Sequence, residues 1–219
     1  MDESGDVESY HSAAAARHLS RIDDTFVEHL LGLLPGSGSR GGSLWGLDIG
    51  TGPAQIPVKV LERVPGMKII GIDRSPNMLA CARRNAEQAG VSGKLLLLAG
   101  DGHELPFPDG RFAVVLCNSM LHHARDPLRL LREVARVASP GAALLLRDLR
   151  RPARGLLQWH LWRHGRHYRG RMRELFEDSV RAAYTAEELE GFLSQANLPR
   201  ARVFRFRGAH IGIQQQAET

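Results

Sequence analysis

Cysteine is scarce in this sequence, which has only Cys81 and Cys117 among its 219 residues. Two isolated cysteines give neither a disulfide framework nor the paired spacing of a zinc site. Long apolar runs are also missing, since none approaches the roughly 20 residues that a membrane-spanning helix needs. The N-terminal stretch MDESGDVESY is acidic and lacks the basic and apolar segments of a secretory signal. These absences favour a reduced, cytoplasmic protein with no metal site and no membrane span.

Lysine is scarce as well, because the sequence has three lysines and 26 arginines. The formal net charge is +5 at pH 7. A basic balance of this kind can indicate a nucleic-acid partner. The favoured explanation is a composition that prefers arginine over lysine, so charge alone does not indicate such a partner.

Apolar residues make up 43% of the chain, which is ordinary for a globular protein with a core. The apolar periodicity predicts a helix over residues 9–34, and the glycine-rich stretch Pro35–Ser43 predicts a flexible connector. Strands then alternate with helices. The predicted strands are 44–49, 68–73, 94–99, 112–118 and 142–148, and the predicted helices are 55–63, 76–89 and 127–138. This alternation predicts an α/β fold with a Rossmann-like doubly wound sheet, mostly parallel, with helices on both faces.

The pattern changes after residue 148. Residues 149–184 are too long for a simple connection and predict one or two inserted helices. Thr185 and Glu188 have the spacing of a capping box, which begins a helix through Ala196. Two short strands, 201–207 and 210–216, then predict a terminal antiparallel pair. The predicted organisation is an N-terminal helix and linker that cover the cofactor site, a cofactor-binding core, a basic and aromatic helical lid, and a C-terminal part that completes the same domain: 1–43, 44–148, 149–184 and 185–219.

Polar residues stand where the predicted parallel strands end. In a doubly wound sheet, ligands bind beyond the carboxyl ends of the strands, near the point where the strand order reverses. Four acids and one amide lie at these ends: Asp48, Asp73, Asp101, Asn118 and Asp148. Sheet stability alone does not explain their common position, so the sequence predicts a ligand site at this edge.

The stretch LDIGTGPAQIP is a strand, a glycine turn and a helix start. Gly50 and Gly52 match the first two glycines of the dinucleotide fingerprint, but Gln55 stands at the third position. That third glycine lets the helix pack closely enough to bind a pyrophosphate, so its absence weakens an NAD prediction. Asp48 would repel a polyphosphate and suits a ligand with a positive amino group.

Two further acids indicate the rest of the ligand. Asp73 follows Gly50 at the end of the second strand, where a carboxylate can accept hydrogen bonds from both ribose hydroxyls. Asp101 ends the third strand and can accept from an adenine amino group. An amine, a ribose and an adenine without a phosphate describe S-adenosylmethionine.

Four stretches together resemble the successive motifs of class I S-adenosylmethionine-dependent methyltransferases, most of all the broad type that includes the quinone-biosynthesis methyltransferases. The stretches are LDIGTGPAQIP, IIGIDRSPNMLACARRNA, LLAGDGHELPFPDGRFAVVLCNSMLHH and LREVARVASPGAALLLRD. The resemblance implies that the glycine turn binds the methionine part, Asp73 the ribose and Asp101 the adenine end. One departure is Ala54, where the family's turn often has a third glycine. The predicted cofactor-binding residues are Asp48, Gly50, Thr51, Gly52, Asp73, Arg74, Met78, Asp101, Gly102, His103, Asn118 and Ser119.

Methyl transfer from a sulfonium is an in-line displacement, and it needs a base only when the nucleophile arrives protonated. His122 and His123 follow the fourth strand in NSMLHHARDP and are the candidate bases. The alternative is that one of them caps the local backbone and the other faces solvent. Asp148 can orient the substrate or its base. Tyr10 and His11 can cover the cofactor, or they lie on an exposed helix face.

Residues 147–173 combine nine arginines with Trp159, Trp162 and Tyr168. Such a segment can contact a small substrate as a lid, can pack Leu156, Leu157, Trp159 and Leu161 inward with its arginines solvated, or can bind nucleic acid. The lid is favoured, and nucleic acid is the weakest of the three. The fourth strand ends in CNSM, unlike the Asn-Pro-Pro-Tyr motif of enzymes that methylate amino groups of bases and glutamine.

The predicted function is methyl transfer to a small molecule, with S-adenosylhomocysteine as the second product. The alternatives are an RNA or protein methyltransferase that uses residues 147–173, and a module that binds S-adenosylmethionine without catalysis. The sequence indicates neither the acceptor nor the oligomeric state.

Overall fold

The computed structural model of the protein describes residues 13–34 and 44–218. Tyr10, His11 and the connector Pro35–Ser43 lie outside these residues. The strands are β1 (Leu44–Ile49), β2 (Met67–Asp73), β3 (Leu95–Ala99), β4 (Phe112–Asn118), β5 (Ala138–Leu149), β6 (Arg202–Phe206) and β7 (His210–Gln215). The helices are α1 (Ala13–Leu33), α2 (Gln55–Arg63), α3 (Pro76–Gln88), α4 (Pro127–Val137), α5 (Leu157–Gly165), α6 (Arg171–Ala182) and α7 (Ala186–Gln195).

The strands form a seven-stranded sheet in the order β3-β2-β1-β4-β5-β7-β6. The pairs from β3 to β5 are parallel, whereas β7 runs antiparallel to both β5 and β6. The predicted mostly parallel sheet with an antiparallel C-terminal strand is therefore confirmed. The strand order reverses between β1 and β4, so the ligand crevice of such a sheet lies beyond the carboxyl ends of these two strands.

Helices cover both faces of the sheet, as predicted. Successive strand residues point to opposite faces, so neighbours such as Val115 and Leu116 belong to different buried clusters. The cluster around Leu116 includes Phe26 of α1 and Val60 of α2. The cluster around Val115 includes residues of α4 and α7. Two buried layers hold the strand ends in fixed positions.

The start of β5 differs from the prediction. The sequence Ser-Pro-Gly at residues 139–141 predicts a break between α4 and a strand that begins at residue 142, but β5 begins at Ala138. In the pairing of β4 with β5, Phe112 lies opposite Ala138 and Val114 lies opposite Ala143, so the register shifts between these two pairs. Gly141 has φ 72°, a left-handed conformation that glycine adopts without strain. A bulge therefore absorbs the Pro-Gly pair inside the strand.

The segment 149–184 forms a short 3₁₀ turn (Arg154–Leu156), then α5 and α6. Inward packing of its predicted apolar stripe is wrong for two residues, because Leu156 and Trp159 are 56% and 58% exposed. Leu161 is buried as expected, but its buried neighbours on α5 are His160 and Gly165. The inner face of α5 is thus polar in part, and an apolar pattern alone could not orient it.

Arg147 shows why the arginines of 147–173 are not one basic surface. The residue is 1% exposed, and its guanidinium donates hydrogen bonds to the Thr25 hydroxyl and the Ile22 carbonyl of α1, at 2.9 and 2.8 Å. It also lies 5.0 Å from the ring of Phe26. Burial lowers the pKa of Arg147 to about 10, and burial raises the pKa of nearby Asp23 to about 6. Arg147 therefore attaches α1 to the sheet and cannot contact nucleic acid.

The rest of the C-terminal part follows the prediction. The capping box is present, since Glu188 N donates to Thr185 Oγ1 at 3.3 Å and Thr185 N donates to Glu188 Oε2 at 2.8 Å. Across residues 13–34 and 44–218, each helix is too short or too polar to cross a lipid bilayer.

Candidate functional site

The glycine turn after β1 is fixed to the end of β2. Gly50 N and Thr51 N both donate to Ile72 O, at 2.9 and 3.0 Å. Gly52 N donates to Asp73 Oδ2 at 2.8 Å. Gly50 has φ 70° and a Cβ there would lie 2.6 Å from Met120 Cγ, so the position requires glycine. Contacts within the protein thus hold the turn in this conformation.

Asp73 supports the turn as well as facing the site. Its second oxygen, Oδ1, accepts from Ser75 N at 2.8 Å, so one carboxylate joins the glycine turn to the start of α3. Ser75 is the N-cap of α3, and its hydroxyl accepts from Met78 N at 3.3 Å. Each carboxylate oxygen retains a lone pair for a further donor. These backbone hydrogen bonds hold the Asp73 carboxylate, which is predicted to bind the ribose hydroxyls, in place before a ligand binds.

Thr51 lies beneath the turn. It is 6% exposed, and a Cβ on Gly71 would lie 2.7 Å from Thr51 Oγ1. The structure thus directs the Thr51 side chain towards β2, where it supports the turn. Gly52 differs, because no atom of the described residues lies within 4 Å of a Cβ built on it. Its open side is available to a ligand.

Two buried oxygen acceptors lie at the reversal point of the sheet. Asp48 is the penultimate residue of β1 and is 3% exposed. Burial raises its pKa to about 7, the Thr51 hydroxyl opposes this shift, and the Asp73 carboxylate adds to it. Asn118 ends β4, and its buried Oδ1 has no hydrogen-bond partner within the described ranges. A bound ammonium group would donate a hydrogen bond to Asn118 Oδ1 and would stabilise the ionised form of Asp48.

The Asp101 end of the site is held by His103. Asp101 Oδ1 accepts from His103 Nδ1 at 2.6 Å and from His103 N at 3.0 Å. His103 Nε2 accepts from Asp126 N at 3.3 Å. Both ring nitrogens are therefore used within the protein, and His103 positions Asp101. Although burial opposes it, these hydrogen bonds keep the pKa of Asp101 below its usual value.

A pocket of about 450 Å³ opens beside this end. It is lined by Asp101, His103, Glu104, Arg125, Asp126 and Arg129. Two arginines approach Asp101 Oδ2, Arg74 at 3.9 Å and Arg125 at 3.6 Å. Asp101 keeps 32% of its side chain exposed, so it can accept from a ligand amino group at the pocket wall.

Two further predicted cofactor residues, Gly102 and Ser119, lie beside Met120 and the end of β4. A Cβ on Gly102 would lie within 3.0 Å of the side chains of Ile49, Leu130 and Met120, so a larger residue there would have to displace them. Ser119 has φ 54°, and its N–H donates to Arg147 O at 2.8 Å. Taken together, the predicted cofactor residues offer carboxylate and amide oxygens to an amine and hydroxyls and have no cradle for phosphate. These residues fit S-adenosylmethionine.

His122 and Asp148 form a buried pair on the other side of the crevice. Asp148 Oδ1 accepts from His122 Nδ1 at 2.6 Å, and Oδ2 accepts from His122 N at 2.9 Å. Their side chains are 3% and 5% exposed. Because a carboxylate only accepts, Nδ1 carries the hydrogen, and Nε2 has no partner among the described residues. This is a basic nitrogen oriented by a carboxylate, the arrangement of a general base.

His123 is in different surroundings. Its ring lies 3.9 Å from that of His122, and the residue keeps an exposed edge. Burial of the remainder and the neighbouring His122 lower the pKa of His123 to about 4. It is neutral at pH 7 and no carboxylate orients it among the described hydrogen bonds. The structure favours His122 over His123 as the candidate base.

Two further imidazoles on this side are not found by sequence motifs. Burial lowers the pKa of His160 to about 4, and neither of its ring nitrogens has a partner within the described residues. Burial also lowers the pKa of His210 to about 3, although Asp148 opposes this. His210 stands on β7 opposite Leu149. Its approach to Asp148 depends on the antiparallel strand, and nothing in the local sequence signals it.

The sequence motifs also fail to indicate Met120 and Tyr184. Met120 fills the space above Gly50 and Gly102. Tyr184 lies near Asp148, and burial and that charge raise the pKa of its phenol. An aromatic residue that follows a lid helix carries no distinctive signal, because only the return of the chain over the sheet brings it to the site.

Comparison with known proteins agrees with this geometry. Residues 47–146 match a family model described as a methyltransferase domain. The chain is 37% identical over 109 residues to the demethylmenaquinone methyltransferase of Thermus thermophilus, covering 50% of this chain and 49% of that protein. The match thus spans about half the length of that relative. This chain is also 26% identical over 189 residues to a ubiquinone/menaquinone biosynthesis C-methyltransferase, UbiE, of Vibrio vulnificus. That match covers 81% of this chain and 72% of the Vibrio protein.

Solved structures show the same fold. The S-adenosylmethionine-dependent methyltransferase of Aquifex aeolicus superposes with a TM-score of 0.62 at 21% identity, covering 88% of this chain and 87% of that one. The sequence matches support the family assignment, and the superposition shows the fold. Together they identify residues 47–146 as a methyltransferase domain, in a chain that has the fold of the S-adenosylmethionine-dependent methyltransferases.

Proposed function

We propose that this protein transfers the methyl group of S-adenosylmethionine to a small aromatic acceptor of the quinone-related class, with S-adenosylhomocysteine as the second product. The observation that carries the acceptor class is the buried His122–Asp148 pair, since a base is needed for a ring that bears an ionisable hydroxyl. The names of the menaquinone and ubiquinone relatives support the same class.

The cofactor would be held by acceptors at four strand ends. Asp48 and Asn118 Oδ1 receive the amine, Asp73 receives the ribose hydroxyls and Asp101 receives the adenine amino group. When bound, S-adenosylmethionine supplies an electrophilic methyl group on a good leaving group. The preorganised turn at Gly50 and Gly52 fixes the donor side before binding, which lowers the entropic cost of alignment.

His122 would act on the acceptor. Its Nε2 is buried and lacks a partner among the described residues, so it can take the proton of an acceptor hydroxyl as the ring becomes nucleophilic. Asp148 fixes the tautomer through Nδ1 and stabilises the imidazolium that forms. Asp148 is itself fixed by the N–H groups of His122 and Leu149. In this proposal His122 is the catalytic residue and Asp148 its positioning residue.

The segment 149–184 would close over the acceptor as a lid, and the division of the chain into core and lid remains part of the proposal. An RNA acceptor is less well supported, because Arg147 is buried and Arg173 pairs with Glu177. A cytoplasmic location stays a prediction from the sequence.

The test is methyl transfer from isotopically labelled S-adenosylmethionine to demethylated naphthoquinols, to monocyclic hydroquinones and to RNA. His122→Gln is expected to lower kcat at least about 100-fold, the lower range for a lost general base, while the Kd for S-adenosylhomocysteine stays within about twofold. His167→Gln, an exposed histidine of the lid, is the matched control and is expected to change neither value. Labelling of RNA alone, or full activity in His122→Gln, would contradict the proposal.

A further inference from the structure

One face of the lid exposes large apolar side chains. Leu156, Trp159 and Trp162 are 56%, 58% and 61% exposed. Their spacing of three residues places them along one side of α5 and the turn before it. Arg163 and Arg166 continue this side. We call these five residues the outer stripe.

The opposite face of α5 fixes the direction of the outer stripe. His160, Leu161 and Gly165 are buried towards the body of the protein. Leu161 is 2% exposed. The helix cannot turn its tryptophans inward without exposing this face. Two exposed indoles beside a leucine form an apolar patch of the kind that marks an interaction site.

The charge around the outer stripe is of one sign. Residues 149–173 contain eight arginines and no acid. Some of these arginines are used within the protein: Arg151 pairs with Glu188, Arg171 with Glu174 and Arg173 with Glu177. Others make no ion pair with the described residues, namely Arg154, Arg163, Arg166 and Arg169. The patch is therefore apolar at its centre and cationic at its border.

This combination matches one kind of partner best. Tryptophan is enriched at the boundary between lipid headgroups and acyl chains, and arginine binds lipid phosphates while its stem lies along the apolar layer. An interfacial helix carries Trp or Leu on one face and Arg or Lys beside it. Leu156 would gain nothing from phosphates or stacked bases, which disfavours RNA. The nine residues of α5 are too few to span a bilayer, so the helix would lie on the surface.

We propose that the outer stripe docks the lid onto an anionic lipid surface, with Leu156, Trp159 and Trp162 inserted at the headgroup boundary and Arg163 and Arg166 on lipid phosphates. This goes beyond the proposed function, because it concerns where the protein works and not what it methylates. Since α5 presents His160 inward and the tryptophans outward, docking would bring the acceptor side of the site close to the lipid. The binding can be measured without cofactor or acceptor.

The experiment is flotation of the full-length protein with vesicles of phosphatidylcholine, alone or with about one third phosphatidylglycerol. Wild type is expected to float with the anionic vesicles, with a blue-shifted tryptophan emission. Trp159→Ala/Trp162→Ala is expected to bind at least about tenfold more weakly, since binding scales with inserted apolar area. Arg163→Gln/Arg166→Gln is expected to lose about 25-fold, which is about fivefold for each arginine near an anionic surface.

Leu96→Ala is the matched control, because Leu96 is 53% exposed on the edge strand β3 and should leave vesicle binding unchanged. No flotation at low salt, or equal flotation of the tryptophan variant, would overturn the proposal. Single-stranded RNA binding lost in the tryptophan variant, without vesicle binding, would assign the outer stripe to RNA. A dimer in sedimentation that this variant dissociates would assign it to a second copy of the chain.

Discussion

The donor side and the acceptor side of the crevice are built from different parts of the chain. On the donor side, Asp73 binds the backbone of Ser75, two residues away, and of Gly52, 21 residues away. On the acceptor side, Asp148 binds His122, 26 residues away. Its neighbour Arg147 binds Thr25 across 122 residues. The donor side joins the turns after β1 and β2, whereas the acceptor side also depends on α1 and on β7, from opposite ends of the chain.

Because of this difference, changes on the two sides should separate cofactor binding from stability and catalysis. Removing one group from the donor side should lower the affinity for the ligand. Removing one group from the acceptor side should disturb either the packing of a helix or the orientation of a base.

The largest effect is expected on stability, at Arg147. Arg147→Met removes the donors to Ile22 O and Thr25 Oγ1 and the cation beside buried Asp23. The removed charge no longer has to be buried, which offsets part of the loss. We expect the free energy of unfolding to fall by about 2–4 kcal/mol. Denaturant unfolding with Arg205→Met as the exposed control, expected within about 0.5 kcal/mol, checks this, and equal losses would refute the buried role.

Next in size is the positioning effect of Asp148. Asp148→Asn cannot hold His122 with the hydrogen on Nδ1 in the same way, so kcat is expected to fall about 100-fold. The Kd for S-adenosylhomocysteine should change little. Because the pair acts as a unit, the double variant with His122→Gln should lose no more than His122→Gln alone. Steady-state kinetics of the three variants decide, and multiplicative losses would show two independent roles.

A smaller effect, on affinity alone, is expected at Asp73. Asp73→Asn keeps one oxygen acceptor but loses the charge, and we expect the affinity for S-adenosylhomocysteine to fall at least about tenfold. Asp73→Ala should also lower the melting temperature, since Gly52 N and Ser75 N then lose their acceptor. Calorimetric titration beside Glu62→Gln, an exposed acid of α2, provides the comparison. Unchanged affinity in Asp73→Asn would remove Asp73 from the ribose site.

The range of contacts also explains what the sequence could predict. The alternation of strands and helices, the Ser75 cap and the Thr185–Glu188 box are local patterns, and they predicted the elements closely. The positions of Asp48, Asp73 and Asp101 near strand ends were predictable because the apolar runs before them mark those ends. The pairing of His122 with Asp148 and the approach of His210 depend on strand order. The outward direction of Trp159 was not predictable, because the buried face of α5 carries His160 instead of an apolar residue.

The pH dependence of binding should reveal Asp48. The folded pKa of about 7 lies above the unfolded value, so Asp48 costs stability as pH rises from about 4 to 7 and no further above that. A ligand amine binds the ionised form, and affinity for S-adenosylhomocysteine should rise up to about tenfold between about pH 6 and pH 8. Adenosine, which lacks the amine, should show no such rise. Asp48→Asn should bind weakly at every pH, and a rise that persists in this variant would exclude Asp48.

The smallest effect is expected at Ala54, where the family's turn often has glycine. Ala54 has φ 60° and is fully buried. Ala54→Gly relieves a left-handed backbone, worth about 1–2 kcal/mol, but loses about 0.8 kcal/mol of methyl burial and about 0.5–1 kcal/mol of chain entropy. These contributions nearly cancel, so the free energy of unfolding should change by less than about 0.5 kcal/mol. Ala86→Gly is the matched control, because Ala86 is equally buried in the regular helix α3 and gains no relief. Its loss should be about 1.5–2 kcal/mol. Equal losses in the two variants would show that Ala54 carries no backbone strain and that alanine and glycine are not interchangeable in this turn.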